Sequence, residues 1–136
     1  AGAGGVFKQV LVDTGAGEMV AASFAGSGMG VFIFAFVSAA IVRILQGSAT
    51  VAMITAAGLT APLLVTTMPE PAKALLVIAI AAGASAASHV NDSGFWLVSK
   101  YLGMSEKQTF QSWTAMTALL AVTGFLCAGV CYLLFV

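Results

Sequence analysis

The chain has 136 residues, of which 60% are hydrophobic and 7% are charged, and its mean hydropathy is +1.05. Soluble domains carry about 25% charged residues, so this composition excludes an ordinary water-soluble domain and predicts a polytopic membrane protein embedded in a lipid bilayer. The formal net charge is zero, so nothing in the charge suggests a nucleic acid or an acidic molecule as a partner.

The first twenty residues combine a glycine-rich start with several charges. Residues 1–5 are nearly all Gly and Ala, which suits backbone that is flexible or very closely packed. Residues 6–20 show helical spacing, but Lys8, Asp13 and Glu18 make them too polar for a lipid-facing span. We expect an interfacial or hairpin helix, and an amphipathic connector at the membrane surface is an equal alternative. Because the chain opens on AGAGG without Met, we also expect a fragment, or a processed C-terminal portion, of a longer protein.

The first predicted span covers residues 21–45. Its length of about 25 residues is enough to cross a bilayer with some tilt. Arg43 lies at its end, and the interpretation that we favour is snorkelling of the guanidinium to the membrane interface. The alternative is pairing of Arg43 with a substrate carboxylate, since Arg binds carboxylates through two hydrogen bonds. Gly47 then predicts a helix end, and Ser48 predicts the cap of a new helix.

A turn and a second polar segment follow. Pro62 is expected to bend or end the helix that Ser48 begins, and residues 66–73 (TTMPEPAK) predict a turn. Residues 74–87 are apolar but too few to cross a bilayer comfortably. They lead into residues 88–94 (SHVNDSG), the densest polar cluster of the sequence.

A short helix is predicted after this cluster. Its cap is Asp92 or Ser93, it runs through FWLVSKYL, and Gly103 ends it. Ser105 and Gln108 have the spacing of a capping box for the next helix.

The last predicted helix, residues 106–136, is long enough to span, with Trp113 as an interfacial anchor. Cys127 and Cys131 lie four residues apart on it, and we interpret them as small packing residues rather than as a disulfide or metal site. In total we expect three or four spanning or re-entrant units and no soluble domain.

Two polar segments, residues 47–50 and 88–94, each interrupt an apolar run and lead into a new helix. Helix N-termini inside transporters present free N–H groups and the positive end of the helix dipole to anionic substrates. We therefore predict a substrate site at these breaks, where side chains bind hydroxyl and carboxylate oxygens. Its candidates are Ser48, Thr50, Asn91 and Ser93. The alternative is that these side chains only cap helices or pack between them.

His89 and Asp92 are the ionisable groups of an otherwise uncharged stretch. Their ordinary pKa values are about 6.5 and about 3.9, and burial would raise that of Asp92. We predict that they exchange a proton with a driving gradient; in the alternative, both are solvated in a surface loop. An enzymatic acid/base pair is a third hypothesis, but no nucleophile accompanies them, so we expect no enzyme and no cofactor. One His with distant carboxylates predicts no metal site.

Three blocks of the sequence carry a resemblance to a known family. They are AGAGGVFKQVLVDTGAG at 1–17, RILQGSATVAMITAAG at 43–58 and SHVNDSGFWLVSKYLGMSEKQTFQSW at 88–113. In this order they resemble the C-terminal part of the gluconate permease family, and the likeness covers nearly the whole chain.

The resemblance implies a multi-pass protein of the bacterial inner membrane that takes up gluconate or a related sugar acid by proton symport. It also implies an all-α transporter of two inverted repeats with re-entrant and discontinuous helices, an elevator-like mechanism and a homodimer. Gly4 and Gly5 would lie near the tip of a re-entrant hairpin, and Gly47 at the break of a discontinuous helix, so all three join the substrate-binding candidates. Competing hypotheses are a transporter of another small organic anion and a channel or structural membrane subunit.

Overall fold

The computed structural model describes residues 6, 9–10, 13–15, 19, 30–64 and 68–135 of the chain. Over these residues it is helical and contains no strand, which confirms the all-α prediction. The helices are α1 (Val31–Gln46), α2 (Ala49–Thr60), α3 (Glu70–Ala84), α4 (Ser93–Tyr101), α5 (Glu106–Thr109) and α6 (Ala115–Phe135). A 3₁₀ turn, Ala61–Leu63, extends α2, and a π-helical segment, Phe110–Thr114, joins α5 to α6.

Most helix ends lie where the sequence predicts them. Gly47 closes α1 in the left-handed conformation (φ 78°), and its N–H donates to the carbonyl of Arg43 at 2.8 Å. Ser48 caps α2, Asp92 caps α4, and the capping box begins at Ser105. Each of these signals is local, because a cap satisfies backbone groups within its own first or last turn.

The predicted first span is wrong at its N-terminal end. Gly30 has an extended backbone (φ −59°, ψ 147°), so α1 begins at Val31 and has 16 residues rather than the expected 25. At about 1.5 Å per residue it is about 24 Å long, less than the hydrocarbon core of about 30 Å. Glycine is acceptable at an N-cap and costs a helix interior about 1 kcal/mol relative to Ala, so both preferences favour a helix start at Gly30. Residues 21–29 lie outside the described part of the chain.

A continuous helical stretch, Glu106–Leu134, contains α5, the π segment and most of α6. Within the described residues it is the one helix whose length, 29 residues, and composition suffice to cross a membrane. Its apolar side chains are largely exposed, for example Leu119, Leu126 and Leu133. A core helix of a soluble protein would bury such a face, so the pattern fits a helix in contact with lipid or with other helices.

Small side chains form much of the contact between α1, α2, α3 and α6. The buried cluster contains seven alanines, among them Ala128 of α6, together with Phe32, Leu76 and Ile80. Small residues let helix backbones approach closely, which is how helices associate where no water drives them together. Phe32 and Phe36 of α1 stack against Phe125 of α6, with ring centroids 5.2 and 4.2 Å apart.

Gly83 marks the closest approach of α3 to α1, and it gives a first testable prediction. A Cβ at this position would overlap the backbone carbonyl oxygen of Phe36, which cannot move without shifting α1. We expect Gly83→Ala to lower the free energy of unfolding in detergent by about 1–3 kcal/mol, as overpacking does. Gly124→Ala is the matched control, since a Cβ there would meet Ala82 at an ordinary 3.4 Å. Equal stability of the two variants would contradict the close approach.

Candidate functional site

The two polar segments that interrupt apolar runs, residues 47–50 and 88–94, meet in one pocket, and we call them the two breaks. The junction of α1 and α2 and the start of α4 line an open pocket of about 470 Å³. Five predicted substrate residues line it, together with Arg43 and Asp92: Gly47, Ser48, Thr50, Asn91 and Ser93. The sequence predicts each break separately, and the structure adds that they form a single site.

Asn91 holds the two breaks together. Its side-chain amide donates to the carbonyl of Ile44 at 2.9 Å and to that of Leu45 at 3.4 Å. These carbonyls belong to the last turn of α1, where helical partners are missing, so Asn91 stabilises the end of α1 from outside. Its backbone carbonyl lies against Gly47, where a Cβ would overlap it. Asn91 therefore has a structural role in addition to any contact with substrate.

Arg43 is buried in the protein rather than extended to the membrane surface. The residue is 6% exposed, and its Nη2 lies 2.5 Å from Oδ2 of Asp92. Its Nη1 donates to the carbonyl of Gly47. The snorkelling interpretation is therefore wrong, because α1 ends inside the fold and a buried cation needs a charged or polar partner there. The sequence offers no local sign of this pairing, since the partners are 49 residues apart.

Asp92 receives hydrogen bonds from three directions. Besides Arg43, the hydroxyl of Ser88 donates to Oδ2, and the N–H of Gly94 donates to Oδ1 at 3.0 Å. Asp92 lies in the connection between α3 and α4, outside the helices. Burial raises the pKa of its carboxyl, but the hydrogen bonds from Arg43, Ser88 and Gly94 and the charge of Arg43 outweigh burial and hold the pKa below its usual value. The expected effect of burial is therefore present, but nothing in the sequence indicates the hydrogen bonds and the charge that outweigh it.

Ser88 links the site to the long helix, and sequence reasoning gave it no role. The indole N–H of Trp113 donates to Oγ of Ser88 at 2.9 Å, and the Thr114 hydroxyl donates to the Ser88 carbonyl at 2.5 Å. The Ser88 N–H donates to the hydroxyl of Thr117 at 3.1 Å. Trp113 is thus bound to the polar loop, a contact that its predicted role as an interfacial anchor did not include. Single-turn π segments often occur at functional sites, and the one in this helix contains Trp113 and Thr114.

His89 does not join the pocket. Its Nδ1 accepts a hydrogen bond from the backbone N–H of Asn91 at 3.4 Å, and the residue is half-buried. The carboxylate of Asp92 is bonded to Arg43, Ser88 and Gly94 instead, so the structure does not pair it with His89. The remaining candidates, Gly4 and Gly5, lie outside the described residues.

Two helix N-termini and one buried ion pair set the electrostatics of the pocket. The N-termini of α2 and α4 both begin in its wall, at Ser48 and Asp92. The first N–H groups of a helix lack helical partners, and the helix dipole places partial positive charge there. The guanidinium of Arg43 adds a full positive charge that Asp92 balances. Hydroxyls of Ser48, Thr50 and Ser93 are available for neutral oxygens of the same ligand.

Comparison with known proteins places the chain in a family. The GntP family of permeases matches residues 1–134. The chain is similar to the low-affinity gluconate transporter of Escherichia coli, with 49% identity over 90% of this chain and 28% of that protein. An uncharacterized permease of Bacillus subtilis is 48% identical over 93% of this chain and 28% of its own length. The Gnt-II system L-idonate transporter of Escherichia coli is 43% identical over 90% of this chain and 28% of its own length.

The chain thus spans about 28% of the length of these relatives. No solved structure matches it. The family match extends over nearly every residue and includes both breaks that form the pocket. On this ground the chain belongs to the GntP family of permeases.

Proposed function

We propose that the protein takes part in carrying gluconate or a related sugar acid across the bacterial inner membrane, as part of a multi-pass proton symporter. The observation that carries this proposal is the polar pocket of about 470 Å³, in which two capped helix N-termini and the buried Arg43 meet inside an apolar helical fold. A sugar acid presents one carboxylate and several hydroxyls. The pocket offers positive helix ends and a cation for the first, and side-chain hydroxyls and an amide for the second.

In this proposal, Gly47, Ser48, Thr50, Asn91 and Ser93 contact the substrate. Thr50, Asn91 and Ser93 are exposed and line the pocket, so their polar groups need no rearrangement to meet a ligand. Asn91 divides its hydrogen bonds between the end of α1 and the ligand, since its side-chain oxygen remains an acceptor. Gly4 and Gly5 complete the site from the tip of a re-entrant hairpin.

The proposed architecture is a discontinuous helix within an inverted-repeat transporter of three or four spanning or re-entrant units. A helix that stops and restarts in lipid leaves backbone groups unpaired, and this is tolerated where the break lines a cavity. The junction of α1 and α2 does so, and neither helix is long enough to cross alone. We propose further that this unit moves as a body in an elevator-like cycle, and that the protein forms a homodimer.

A second candidate substrate is another small organic anion of the same chemistry. One relative at 43% identity is named as an L-idonate transporter, whereas others are named for gluconate. Such sugar acids differ in hydroxyls and chain length, which the side chains of the pocket would distinguish. A channel or structural subunit is the remaining alternative, and it would show neither saturation nor dependence on a gradient.

The proposal is tested by uptake of labelled gluconate into proteoliposomes that contain the full-length protein. We expect saturable uptake that an inward proton gradient accelerates and an ionophore abolishes, with gluconate-dependent acidification of the lumen. Unlabelled idonate and glycerate serve as competitors that rank the substrates. Uptake that rises linearly with concentration would support a channel, and no gluconate-dependent uptake would overturn the proposed substrate.

The same assay tests the coupling role predicted for His89. If His89 exchanges the transported proton, His89→Gln should abolish gluconate-dependent acidification while the protein stays folded. Because His89 lies outside the pocket and is bonded to the backbone of Asn91, unchanged acidification would restrict the coupling role to Asp92.

A further inference from the structure

We propose that Arg43 couples the substrate to the proton. In this mechanism, which rests on the proposed function, the carboxylate of the sugar acid takes the guanidinium of Arg43 away from Asp92. The Asp92 carboxylate then binds the co-transported proton. Release of the substrate returns Arg43 to Asp92 and expels the proton on the other side of the membrane.

The hydrogen bonds of Arg43 leave one of its N–H donors without a partner among the described residues. A guanidinium has five N–H donors. Nη1 donates to Gly47 and Nη2 to Asp92, whereas the buried Nε has no hydrogen-bond partner among the described residues. An unsatisfied donor on a residue that is 6% exposed is unfavourable unless a ligand completes it. Arg43 lines the pocket, and once Asp92 has moved aside, a carboxylate would bind Nε and a neighbouring Nη in the two-bond geometry that Arg prefers.

Charge balance supplies the coupling. The pair formed by Arg43 and Asp92 is neutral without substrate, and its side chains are only 7% and 13% exposed, so an entering anion adds one negative charge where water solvates it little. Uptake of one proton by Asp92 restores neutrality, and it becomes favourable when the guanidinium no longer stabilises the ionised carboxylate. The site therefore holds either the internal ion pair or the substrate together with a proton. An anion without a proton is disfavoured, and this exclusion is what makes transport obligatory symport.

The groups around Asp92 suit the protonated form as well as the ionised form. Ser88 donates to Asp92 in the ion-paired state, and its hydroxyl can turn to accept from a protonated carboxyl. From the long helix, the described residues that bond to Ser88 are Trp113, Thr114 and Thr117, none of which carries a charge. Arg43 of α1 is thus the charged group in contact with Asp92, while His89 of the same loop bonds to the backbone.

The test compares Asp92→Asn with wild type in proteoliposomes of the full-length protein, with gluconate as the probe. Asn keeps the helix cap but cannot take up a proton. We expect this variant to retain measurable gluconate counterflow, to lose gluconate-dependent proton entry by at least about tenfold, and to accumulate no gluconate against a gradient. In wild type, the apparent affinity for gluconate should weaken by up to about tenfold for each unit by which the pH rises, over the range in which Asp92 must capture its proton. The reason is that one proton binds with each anion. In Asp92→Asn this pH dependence should vanish.

Arg43→Lys provides the second variant, since it retains the charge but not the two-bond geometry. We expect its apparent affinity for gluconate to fall by about tenfold or more while Asp92 remains paired. The matched control is Glu70→Gln with Lys73→Gln, which removes an exposed ion pair (2.7 Å) remote from the pocket. Neither affinity nor proton entry should change in this control.

The outcomes separate the two proposals. If wild type shows no saturable gluconate uptake, the proposed function fails. If wild type transports gluconate, but Asp92→Asn still brings in protons with it, or Arg43→Lys keeps its affinity, coupling through Arg43 is overturned and the proposed function stands.

Discussion

Arg43→Met should lower the free energy of unfolding by about 3–5 kcal/mol, and adding Asp92→Asn to the same chain should recover a substantial part of that loss. The single substitution leaves the Asp92 carboxylate buried with Ser88 and Gly94 but without its counter-charge. Removing one partner of a buried pair costs this much because the other charge stays desolvated, whereas removing both charges is often nearly neutral. Asp92→Asn should therefore destabilise wild type and stabilise the Arg43→Met variant. This change of sign distinguishes a buried ion pair from two independent polar contacts.

The measurement is a double-mutant cycle, read from equilibrium unfolding of the full-length protein in detergent micelles. The exposed pair of Glu70 and Lys73, whose side chains are 85% and 38% exposed, gives the matched cycle. Surface pairs contribute about 1 kcal/mol or less, so the coupling energy of Glu70 and Lys73 should be small. Additive effects of Arg43→Met and Asp92→Asn, within about 0.5 kcal/mol, would show that the two side chains do not interact in the folded protein.

The helix ends were predictable because their signals are local. Gly47, Ser48, Asp92 and Ser105 each act within one helical turn, and the residue type at each position matches the backbone geometry found there. The candidate site was predictable to the same extent, since polar residues that interrupt apolar runs have few physical reasons to occur in a membrane protein. Five of the predicted substrate residues accordingly line one pocket.

What the sequence could not predict are the contacts between distant segments. Ser88 bonds to Trp113 and Thr117, which are 25 and 29 residues away, and no periodicity relates them. A Trp near a helix start suits a membrane interface, and residue type alone does not indicate that its indole also bonds to a distant loop. Arg43 shows the same limit, because snorkelling and burial differ only in whether a partner such as Asp92 is present.

The contacts between the two breaks also connect the site to several helices. Arg43 and Asn91 connect the end of α1 to the start of α4, and Ser88 connects the same loop to the long helix. A substrate that loosens the contact between Arg43 and Asp92 therefore acts on the joint between three elements. In the mechanism proposed above, a local exchange of charge partners would therefore alter the packing of whole helices.

Gly47→Ala should be the most destabilising glycine-to-alanine substitution in the described part of the chain. We expect it to lower the free energy of unfolding by at least about 4 kcal/mol or to prevent folding. Two effects combine at this position. Its φ of +78° lies in the left-handed region, which costs an L-residue about 1–2 kcal/mol. The added Cβ would also overlap the backbone carbonyl of Asn91, so the two breaks could not stay in contact.

Gly103→Ala separates these two effects. Gly103 has a similar φ of +62°, but a Cβ there meets nothing within 4 Å. This variant should therefore lose about 1–2 kcal/mol, from backbone strain alone, and should keep gluconate uptake. Thermal unfolding and uptake of both variants, measured side by side in the full-length protein, decide the matter. If Gly47→Ala is no worse than Gly103→Ala, then Gly47 is needed only to end α1, and the contact between the two breaks does not hold the pocket together. If Gly47→Ala loses uptake while Gly103→Ala keeps it, the close approach of Gly47 to Asn91 is what joins the two helix N-termini into one site.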